Sequence, residues 1–289
     1  MTQLLEKELI KSDKILKPDF TTKSGREFFA VYLNSKFKQI LAYDRQSKTP
    51  VFKSVKSDFI IKFMKRLINT PYKHVLIGIS GESASGKTTI CNTIKQTTER
   101  LNLPVEILSA DNYFKDISKL IKEKGSFDKL LESGYDVDSP NNFNIEQLFE
   151  DLSKLSSGED VKIPQYLVNG TGIVVPEALP KKAQKIIIVE GMASMYGKVS
   201  DLLDIKVYID IDPLIQEKWF LYRAQTSRNQ TKENAIKQLA YVREASKKYI
   251  LPQKSNADII INGASSLDYF TQILDYFYNV TNSFISPEQ

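Results

Sequence analysis

The sequence predicts a doubly wound α/β fold with a mainly parallel sheet, and two observations carry this prediction. Short, nearly continuous apolar runs rich in β-branched residues recur after residue 70, which is typical of strands buried on both faces. Segments with helical apolar spacing separate these runs, and strands that alternate with helices indicate parallel βαβ units. The predicted strands are residues 74–80, 105–109, 185–190, 205–210 and 257–262.

The predicted helices fill the intervals between these strands. Pro213 stands where the first turn of a helix tolerates proline, and Asp212 before it is a suitable N-cap. The helical segments are residues 88–101, 145–155, 213–224, 232–249 and 267–280. We therefore expect one α/β domain over residues 71–289.

Residues 1–70 are expected to form a basic α+β extension packed on this domain. They carry 15 basic and 7 acidic side chains, a net charge of +8, whereas the remaining residues carry 25 basic and 28 acidic side chains, a net charge of −3. Residues 27–32 predict a strand and residues 53–68 predict a helix. Pro71 ends that helix, because the residue before a proline is disfavoured in the helical region.

Composition excludes several protein classes. A chain of 289 residues, 42% of them hydrophobic, can bury a substantial core and is not a disordered protein. The single cysteine, Cys91, excludes an intramolecular disulfide, and the single histidine, His74, excludes zinc sites that need several His or Cys ligands. The first ten residues mix acids with apolar residues, unlike a signal peptide, and no apolar run is long enough to span a bilayer. These features predict a soluble cytoplasmic protein.

Residues 81–88 fit the phosphate-binding loop pattern, because glycine, four residues and Gly-Lys-Thr follow a predicted strand and open a predicted helix. The glycines permit a tight loop whose backbone N–H groups face phosphates, and the helix presents its positive end to the same anion. Lys87 would neutralise the β and γ phosphates, and the Thr88 hydroxyl would bind Mg²⁺. The predicted nucleotide-binding residues are Gly81, Glu82, Ser83, Ala84, Ser85, Gly86, Lys87, Thr88 and Thr89.

Two acidic residues follow predicted strands at their carboxyl ends. Asp111 comes after the strand at 105–109, and Glu190 closes the strand at 185–190. Ligands of open α/β sheets bind outside the carboxyl ends of the strands, so both acids are predicted to share a crevice with the phosphate loop. A carboxylate there can accept a proton from a hydroxyl group or hold a metal ion, and Glu190 is the predicted metal residue beside Thr88.

Further sequence blocks extend the pattern beyond the phosphate loop. In chain order they are residues 78–89, 109–115, 135–143, 163–166, 188–191 and 249–260. Together these blocks resemble the uridine kinase and phosphoribulokinase family of phosphate-loop kinases, over about residues 74–265. The resemblance implies a P-loop NTPase fold of the nucleoside-kinase type, with ATP and Mg²⁺ as cofactors. The implied reaction transfers the γ-phosphoryl group of ATP to the hydroxyl group of a small molecule.

The resemblance also implies roles for single residues. Asp111 would be the base that deprotonates the acceptor hydroxyl, and Lys87, Arg223 and Arg228 would stabilise the transferring phosphoryl group. The two arginines would belong to a lid that faces the phosphates, where fixed planar cations stabilise developing charge. The residues implied to bind the acceptor are Asp138, Tyr166 and Gln238.

Two departures from the family pattern leave the acceptor open. Leu167 and Thr171 stand where uridine kinases usually carry an aspartate and a histidine that recognise the pyrimidine. A site that loses such polar partners loses much of its discrimination, because each buried unsatisfied group costs about 1–3 kcal/mol. We expect uridine or cytidine as the first acceptor to test. A sugar phosphate, glycerate or pantothenate is the alternative.

A third interpretation is a nucleotide-binding regulatory protein, whose basic N-terminal segment contacts a partner while ATP acts as a switch. The charge of +8 on residues 1–70 and a lid with few arginines support it. We expect a small-molecule acceptor as the partner and no membrane. Nucleic acid is not expected, because the α/β part is net acidic and carries no recognised nucleic-acid module. The sequence is compatible with a homo-oligomer.

Overall fold

The computed structural model describes residues 19, 22–61, 74–227 and 230–285, with the backbone alone over 280–285. The described residues fall into two compact units. The first takes its residues from Met1–Val51, Ser57–Tyr72 and Ser265–Gln289, and the second from Phe52–Lys56 and Lys73–Ala264. This division differs from a boundary near residue 70, because a strand at 52–55 joins the sheet of the second unit and the last helix belongs to the first.

The second unit is built on a mixed, mainly parallel sheet. The strands of the described residues are β1 (Phe52–Val55), β2 (Val75–Gly81), β3 (Val105–Ser109), β4 (Val161–Tyr166), β5 (Val174–Lys181), β6 (Ile186–Glu190), β7 (Ile205–Asp210) and β8 (Ile259–Asn262). Their order in the main sheet is β1-β8-β7-β2-β6-β3, and every neighbouring pair is parallel except β1 with β8. β4 and β5 form a separate antiparallel hairpin. The predicted α/β class and the predicted parallel strands are confirmed.

Helices connect these strands along the chain. The α-helices that lie wholly within the described residues are α1 (Lys23–Asp44), α2 (Lys87–Arg100), α3 (Ser118–Lys124), α4 (Phe127–Glu132), α5 (Ile145–Ser157), α6 (Gly197–Leu202), α7 (Pro213–Ser227), α8 (Lys232–Tyr249), α9 (Gln253–Asn256) and α10 (Leu267–Ile285). α1 and α10 belong to the first unit, and α2 to α9 belong to the second. None of these helices has both the length and the apolar content that crossing a membrane requires.

The core of the second unit explains why the central strand β6 is apolar over residues 186–189. Ile187, Ile188 and Val189 of β6 are fully buried, as expected for a central strand of a parallel sheet. Leu148 and Leu152 of α5 are also fully buried in the same core, because residues four apart lie on one helix face. Burial of each large apolar side chain stabilises the fold by about 1.5–3 kcal/mol.

In the first unit, the predicted strand at 27–32 is wrong, because these residues lie within helix α1. The side chain of Thr22 caps this helix by accepting a hydrogen bond from the Gly25 backbone N–H at 3.0 Å. Phe29, Phe37 and Ile40 are buried, and the ring of Phe37 lies 5.3 Å from that of Phe277 on α10. Burial at helical spacing therefore outweighs the strand propensity of the aromatic and β-branched residues in this segment.

The start of the predicted helix at 53–68 is wrong, because residues 53–55 belong to strand β1. Residues 59–61 are helical, and the rest of the predicted helix lies outside the described residues. β1 pairs with β8 along an edge of the sheet. Lys53 of β1 also donates to Asp210 at the end of β7, over 2.9 Å.

Candidate active site

The register of three strands brings the predicted phosphate loop and two predicted acids to one edge of the sheet. Ile79 of β2 lies beside Glu190 of β6, and Glu190 lies beside Ser109 of β3. Gly81 is the last residue of β2, and Asp111 lies two residues past the end of β3. The topology therefore places these groups at the edge where open α/β sheets bind their ligands.

The loop between β2 and α2 has the backbone of an anion-binding turn. Gly86, the N-cap of α2, has φ +94°, in the left-handed region that glycine adopts without strain. Ala84 has φ +60°, which is uncommon for a residue with a side chain. The ammonium group of Lys87 donates to the carbonyl oxygens of Gly81 at 2.7 Å and Glu82 at 2.8 Å. A lysine ammonium has three N–H groups, so one remains for a ligand oxygen.

Side chains from two distant helices hold this loop. Arg223 of α7 donates to the Ser83 hydroxyl at 2.8 Å, and Gln216 of the same helix donates to the Ser83 carbonyl at 3.1 Å. Ser246 of α8 donates to the Glu82 carboxylate at 2.7 Å. Arg223 is a predicted site residue, whereas Gln216 and Ser246 carry no sequence signal of this role because their contacts arise only from tertiary packing.

A short 3₁₀ turn, Ala110–Tyr113, carries Asp111 away from the end of β3. Tyr113 anchors this turn, because its buried hydroxyl donates to the Asp151 carboxylate at 2.9 Å. Gly191, which follows β6, has φ +126°, and a Cβ atom there would lie 2.9 Å from Asp111 Oδ1. Glycine at position 191 thus adopts this backbone conformation without strain and leaves room for the Asp111 carboxylate.

Charges in the site are coupled and partly removed from water. Burial lowers the pKa of Lys87, although the carboxylates of Glu190 and Asp111 favour its charged form. Burial and the Asp111 charge raise the pKa of Glu190, against the effect of Lys87. Burial, followed by repulsion from Asp111 and Asp136, raises the pKa of Asp138 to about 7. Acidic groups thus outnumber the ammonium group they surround, which favours the entry of a cation.

The predicted acceptor residues approach the same acids from other elements. Asp138, only 7% exposed, interacts electrostatically with Asp111 and Lys87. The Tyr166 ring lies 5.1 Å from that of Phe114, and its backbone N–H donates to the Asn112 side chain at 3.2 Å. Burial and then the Asp111 charge raise the pKa of the Tyr166 hydroxyl, which keeps it protonated.

A single cleft of about 1210 Å³ unites most of the predicted residues. Those that line it are Ser83, Ala84, Lys87, Thr88, Asp111, Asp138, Tyr166, Glu190, Arg223 and Gln238. Gly81, Glu82, Ser85, Gly86 and Thr89 belong to the loop or to the start of α2 but do not line the cleft. Arg228 lies outside the described residues.

The turn of the β4–β5 hairpin forms another wall of the cleft. Thr171 lines the cleft, but its hydroxyl donates to the Asn169 side chain within the turn. Leu167 does not line the cleft, and its backbone N–H donates to the Ile173 carbonyl at 3.0 Å. Neither residue therefore presents a charged or imidazole group to a bound acceptor.

The site residues fit a magnesium ion by the chemistry of their donors. Thr88 and Glu190 supply oxygen atoms, which are the ligands that Mg²⁺ prefers. Within the described residues, no group of three or more His, Cys, Asp or Glu side chains could hold a metal by itself. Mg²⁺ at nucleotide sites needs only one or two protein ligands, because water and phosphate oxygens complete its coordination. The donor set is thus suited to Mg²⁺ that arrives with a nucleotide.

The sequence matches the model of a known protein family and is similar to proteins of known activity. The sequence model of the Phosphoribulokinase / Uridine kinase family matches residues 76–269. Uridine-cytidine kinase A of Dictyostelium discoideum is 35% identical over 190 residues, which cover 65% of this chain and 36% of that protein. The chain thus spans about a third of the length of that relative. The uridine kinase of Staphylococcus aureus is 35% identical over 189 residues, which cover 64% of this chain and 86% of that protein.

A solved structure shows the same fold. A candidate fructose transport system kinase from Silicibacter sp. superposes with a TM-score of 0.53 at 20% sequence identity, covering 69% of this chain and 95% of that protein. At this level of identity the similarity concerns the fold, and it agrees with the predicted P-loop kinase architecture.

We predict that Asp138→Asn stabilises the protein in a pH-dependent way. Below about pH 4 the Asp138 carboxyl is protonated in both the folded and the unfolded chain. Between about pH 4 and pH 7 the Asp138 carboxyl is ionised in the unfolded chain but protonated in the folded one. The free energy of unfolding of the wild type therefore falls as pH rises through this range, and the loss is constant above it. Relative to the wild type, the variant should gain at most about 4 kcal/mol in free energy of unfolding above pH 7.

Urea unfolding between pH 4 and pH 8 measures this gain. Asp116→Asn is the control, because hydrogen bonds from Ser118 and Val174 hold the pKa of Asp116 below its usual value. Its effect should be constant from about pH 5 upward. An Asp138→Asn effect that is equally constant over this range would contradict the prediction.

Proposed function

The chain belongs to the phosphoribulokinase/uridine kinase family, and on this premise we propose that it transfers the γ-phosphoryl group of ATP to a hydroxyl group of a nucleoside. Uridine and cytidine are the proposed acceptors. The observation that carries the proposal is one cleft that holds Lys87 of the phosphate loop, Asp111 and Asp138 together. A donor phosphate and an acceptor hydroxyl can therefore meet in one place, which supplies much of the catalysis of phosphoryl transfer.

Asp111 is the proposed base. Its carboxylate accepts the proton of the acceptor hydroxyl while the hydroxyl oxygen forms a bond to the γ-phosphorus atom. The bond between this phosphorus and the bridging oxygen breaks at the same time, and ADP leaves with its electron pair. Asp111 is suited to this role because Tyr113 anchors the turn that carries it and because Asp111 lines the cleft.

Lys87 and Arg223 stabilise the charge on the transferring group. Arg223 is held at the phosphate loop by its hydrogen bond to Ser83, and its guanidinium group lies 5.9 Å from the Phe220 ring. A fixed cation near the equatorial phosphoryl oxygens is worth about 10³–10⁵ in rate in other phosphate-loop enzymes. We assign Arg228 to the same role on sequence grounds alone. Thr88 and Glu190 would hold Mg²⁺, which neutralises charge between the β and γ phosphates when it is bound.

The acceptor side of the cleft supports a sugar-bearing substrate. Asp138 would bond a hydroxyl of the sugar, and Tyr166 with Phe114 would pack against its base. Gln238 of α8 lines the same cleft and is proposed to contact the acceptor. A second candidate is a kinase of the same fold for a sugar phosphate, glycerate or pantothenate. The hydrogen bond from the Thr171 hydroxyl to Asn169 favours it, because this bond uses the one donor that the side chain could offer to a pyrimidine.

We also propose that the protein acts in the cytoplasm. Cys91 is buried, and burial together with the Glu190 charge raises the pKa of its thiol to about 12. This thiol is unreactive at neutral pH, because the thiolate is the reactive form. With a single cysteine the chain also cannot form an internal disulfide, a bond that is common in proteins of oxidising compartments.

We expect the purified protein to convert ATP to ADP with Mg²⁺ only when a suitable acceptor is present. The assay offers uridine, cytidine, a sugar phosphate, glycerate and pantothenate separately, and mass spectrometry identifies the phosphorylated product. Turnover of uridine or cytidine supports the first proposal, and turnover of another acceptor alone supports the second. Nucleotide binding without transfer to any acceptor would contradict both and favour a regulatory protein.

We predict that Asp111→Asn lowers kcat by about 10²–10⁴-fold, because removal of a general base costs rates of this order. Steady-state kinetics with the active acceptor measure the loss. Asp160→Asn is the control for an aspartate outside the cleft, since Asp160 is paired with Lys182 on the surface. A wild-type kcat for Asp111→Asn would rule out its role as the base.

A further inference from the structure

Trp219 of α7 lies against the phosphate loop and leaves part of its ring in solvent. It is the only tryptophan of the chain, and 40% of its surface is exposed. A Cβ atom on Gly86 would lie 3.5 Å from Cζ3 of the indole. The indole therefore lies beside the start of α2, where the phosphate loop passes into the helix.

The same face of α7 carries the residues that hold the phosphate loop. Trp219 and Arg223 are one helical turn apart, so their side chains are neighbours on the helix surface. Arg223 donates to the Ser83 hydroxyl, whereas the Trp219 ring lies beside Gly86. α7 thus places a guanidinium group at Ser83 and an aromatic ring near Gly86, at two points of the phosphate loop.

Trp219 and Arg223 differ in their relation to the cleft. Arg223 lines the cleft together with Asp111, while Trp219 and Gly86 do not line it. In the proposed reaction the γ-phosphate meets the acceptor near Asp111. The nucleobase is the opposite end of the donor, beyond three phosphates and a ribose, so it must lie outside the acceptor part of the cleft. Trp219 offers an aromatic surface beside the loop and outside the lining of the cleft.

We propose that Trp219 packs against the nucleobase of the donor nucleotide and positions it, an inference that rests on the proposed function only in taking a nucleoside triphosphate as donor. Flat, partly exposed aromatic rings stack on bases of any sequence, because every base has an aromatic face. The loop binds phosphate by charge and backbone N–H groups, which do not recognise a base. Trp219 thus gives the site a means to prefer a nucleotide over other polyphosphates.

Tryptophan fluorescence tests this contact directly, because Trp219 is the only such fluorophore. Titration of the wild-type protein with Mg²⁺ and ATP should change the intensity of the emission, and inorganic tripolyphosphate should bind without the same change. Equilibrium dialysis confirms that both ligands occupy the site. Equal emission changes with the two ligands, or none with bound ATP, would overturn the proposal.

ATP affinities of Trp219 variants distinguish stacking of an aromatic ring on the base from apolar packing alone. Trp219→Leu keeps an apolar side chain without an aromatic ring and should raise the dissociation constant for ATP about 5- to 100-fold, whereas Trp219→Phe should stay within about threefold of wild type. Tripolyphosphate affinity should be unchanged in both variants. Tyr222→Leu is the matched control, since Tyr222 is an aromatic residue of the same helix and is 70% exposed. Wild-type affinity of Trp219→Leu for ATP would overturn the proposal.

These measurements need no acceptor, so their outcome is distinct from that of the proposed function. A base-dependent change in emission without transfer to any acceptor would support the Trp219 contact and contradict the kinase. Acceptor phosphorylation with wild-type ATP affinity in Trp219→Leu would support the kinase and contradict the contact.

Discussion

The ammonium group of Lys87 lies among carboxylates at the carboxyl edge of the sheet, and the remaining features of the site depend on this arrangement. Glu190 and Asp111 favour the charged lysine, while burial opposes it. Burial, followed by repulsion from the Asp111 carboxylate, raises the pKa values of Glu190 and Asp138. Acids held this close are costly unless a cation joins them. A site with this balance suits a ligand that brings both Mg²⁺ and phosphate.

The fold supports this arrangement by placing its members on different elements. Glu190 is fixed by the register of β6 with β2 and β3, and Asp111 is fixed by the turn that Tyr113 anchors. Lys87 comes from the loop after β2, which α7 and α8 hold through Arg223 and Ser246. Movement of one element therefore changes the distances among several charged groups at once. Phosphoryl transfer depends on such positioning more than on covalent chemistry.

The parts of the fold with a strong local pattern could be predicted from the sequence. Continuous apolar runs mark the parallel strands, and the strand–loop–helix context marks the phosphate loop. The segment at 27–32 misleads, because its aromatic and β-branched residues favour a strand while tertiary packing selects a helix. The β4–β5 hairpin escapes prediction because Pro164, Pro176 and Pro180 lie within its strands and disfavour a regular ladder.

Site residues could be predicted where a local pattern marks them, but not where tertiary packing alone brings them together. Asp111 and Glu190 could be placed because the carboxyl ends of parallel strands share one edge. Gln216 could not, because its contact with Ser83 joins residues that are 133 positions apart. Trp219 lies in a sequence pattern that is typical of helix packing. Only its position beside Gly86 in the structure distinguishes it from a residue that packs within the helix layer.

Calorimetric titration with ATP and Mg²⁺ in the absence of an acceptor tests most directly whether Asp111 and Lys87 have separate roles. Asp111→Asn should bind the nucleotide within about threefold of wild type, or more tightly, because it loses only negative charge near the phosphates. Lys87→Met should bind it at least about tenfold more weakly, since a charge-assisted hydrogen bond contributes about 1.5–3 kcal/mol. Equal loss of affinity in the two variants would contradict a site in which Lys87 binds the donor and Asp111 acts on the acceptor.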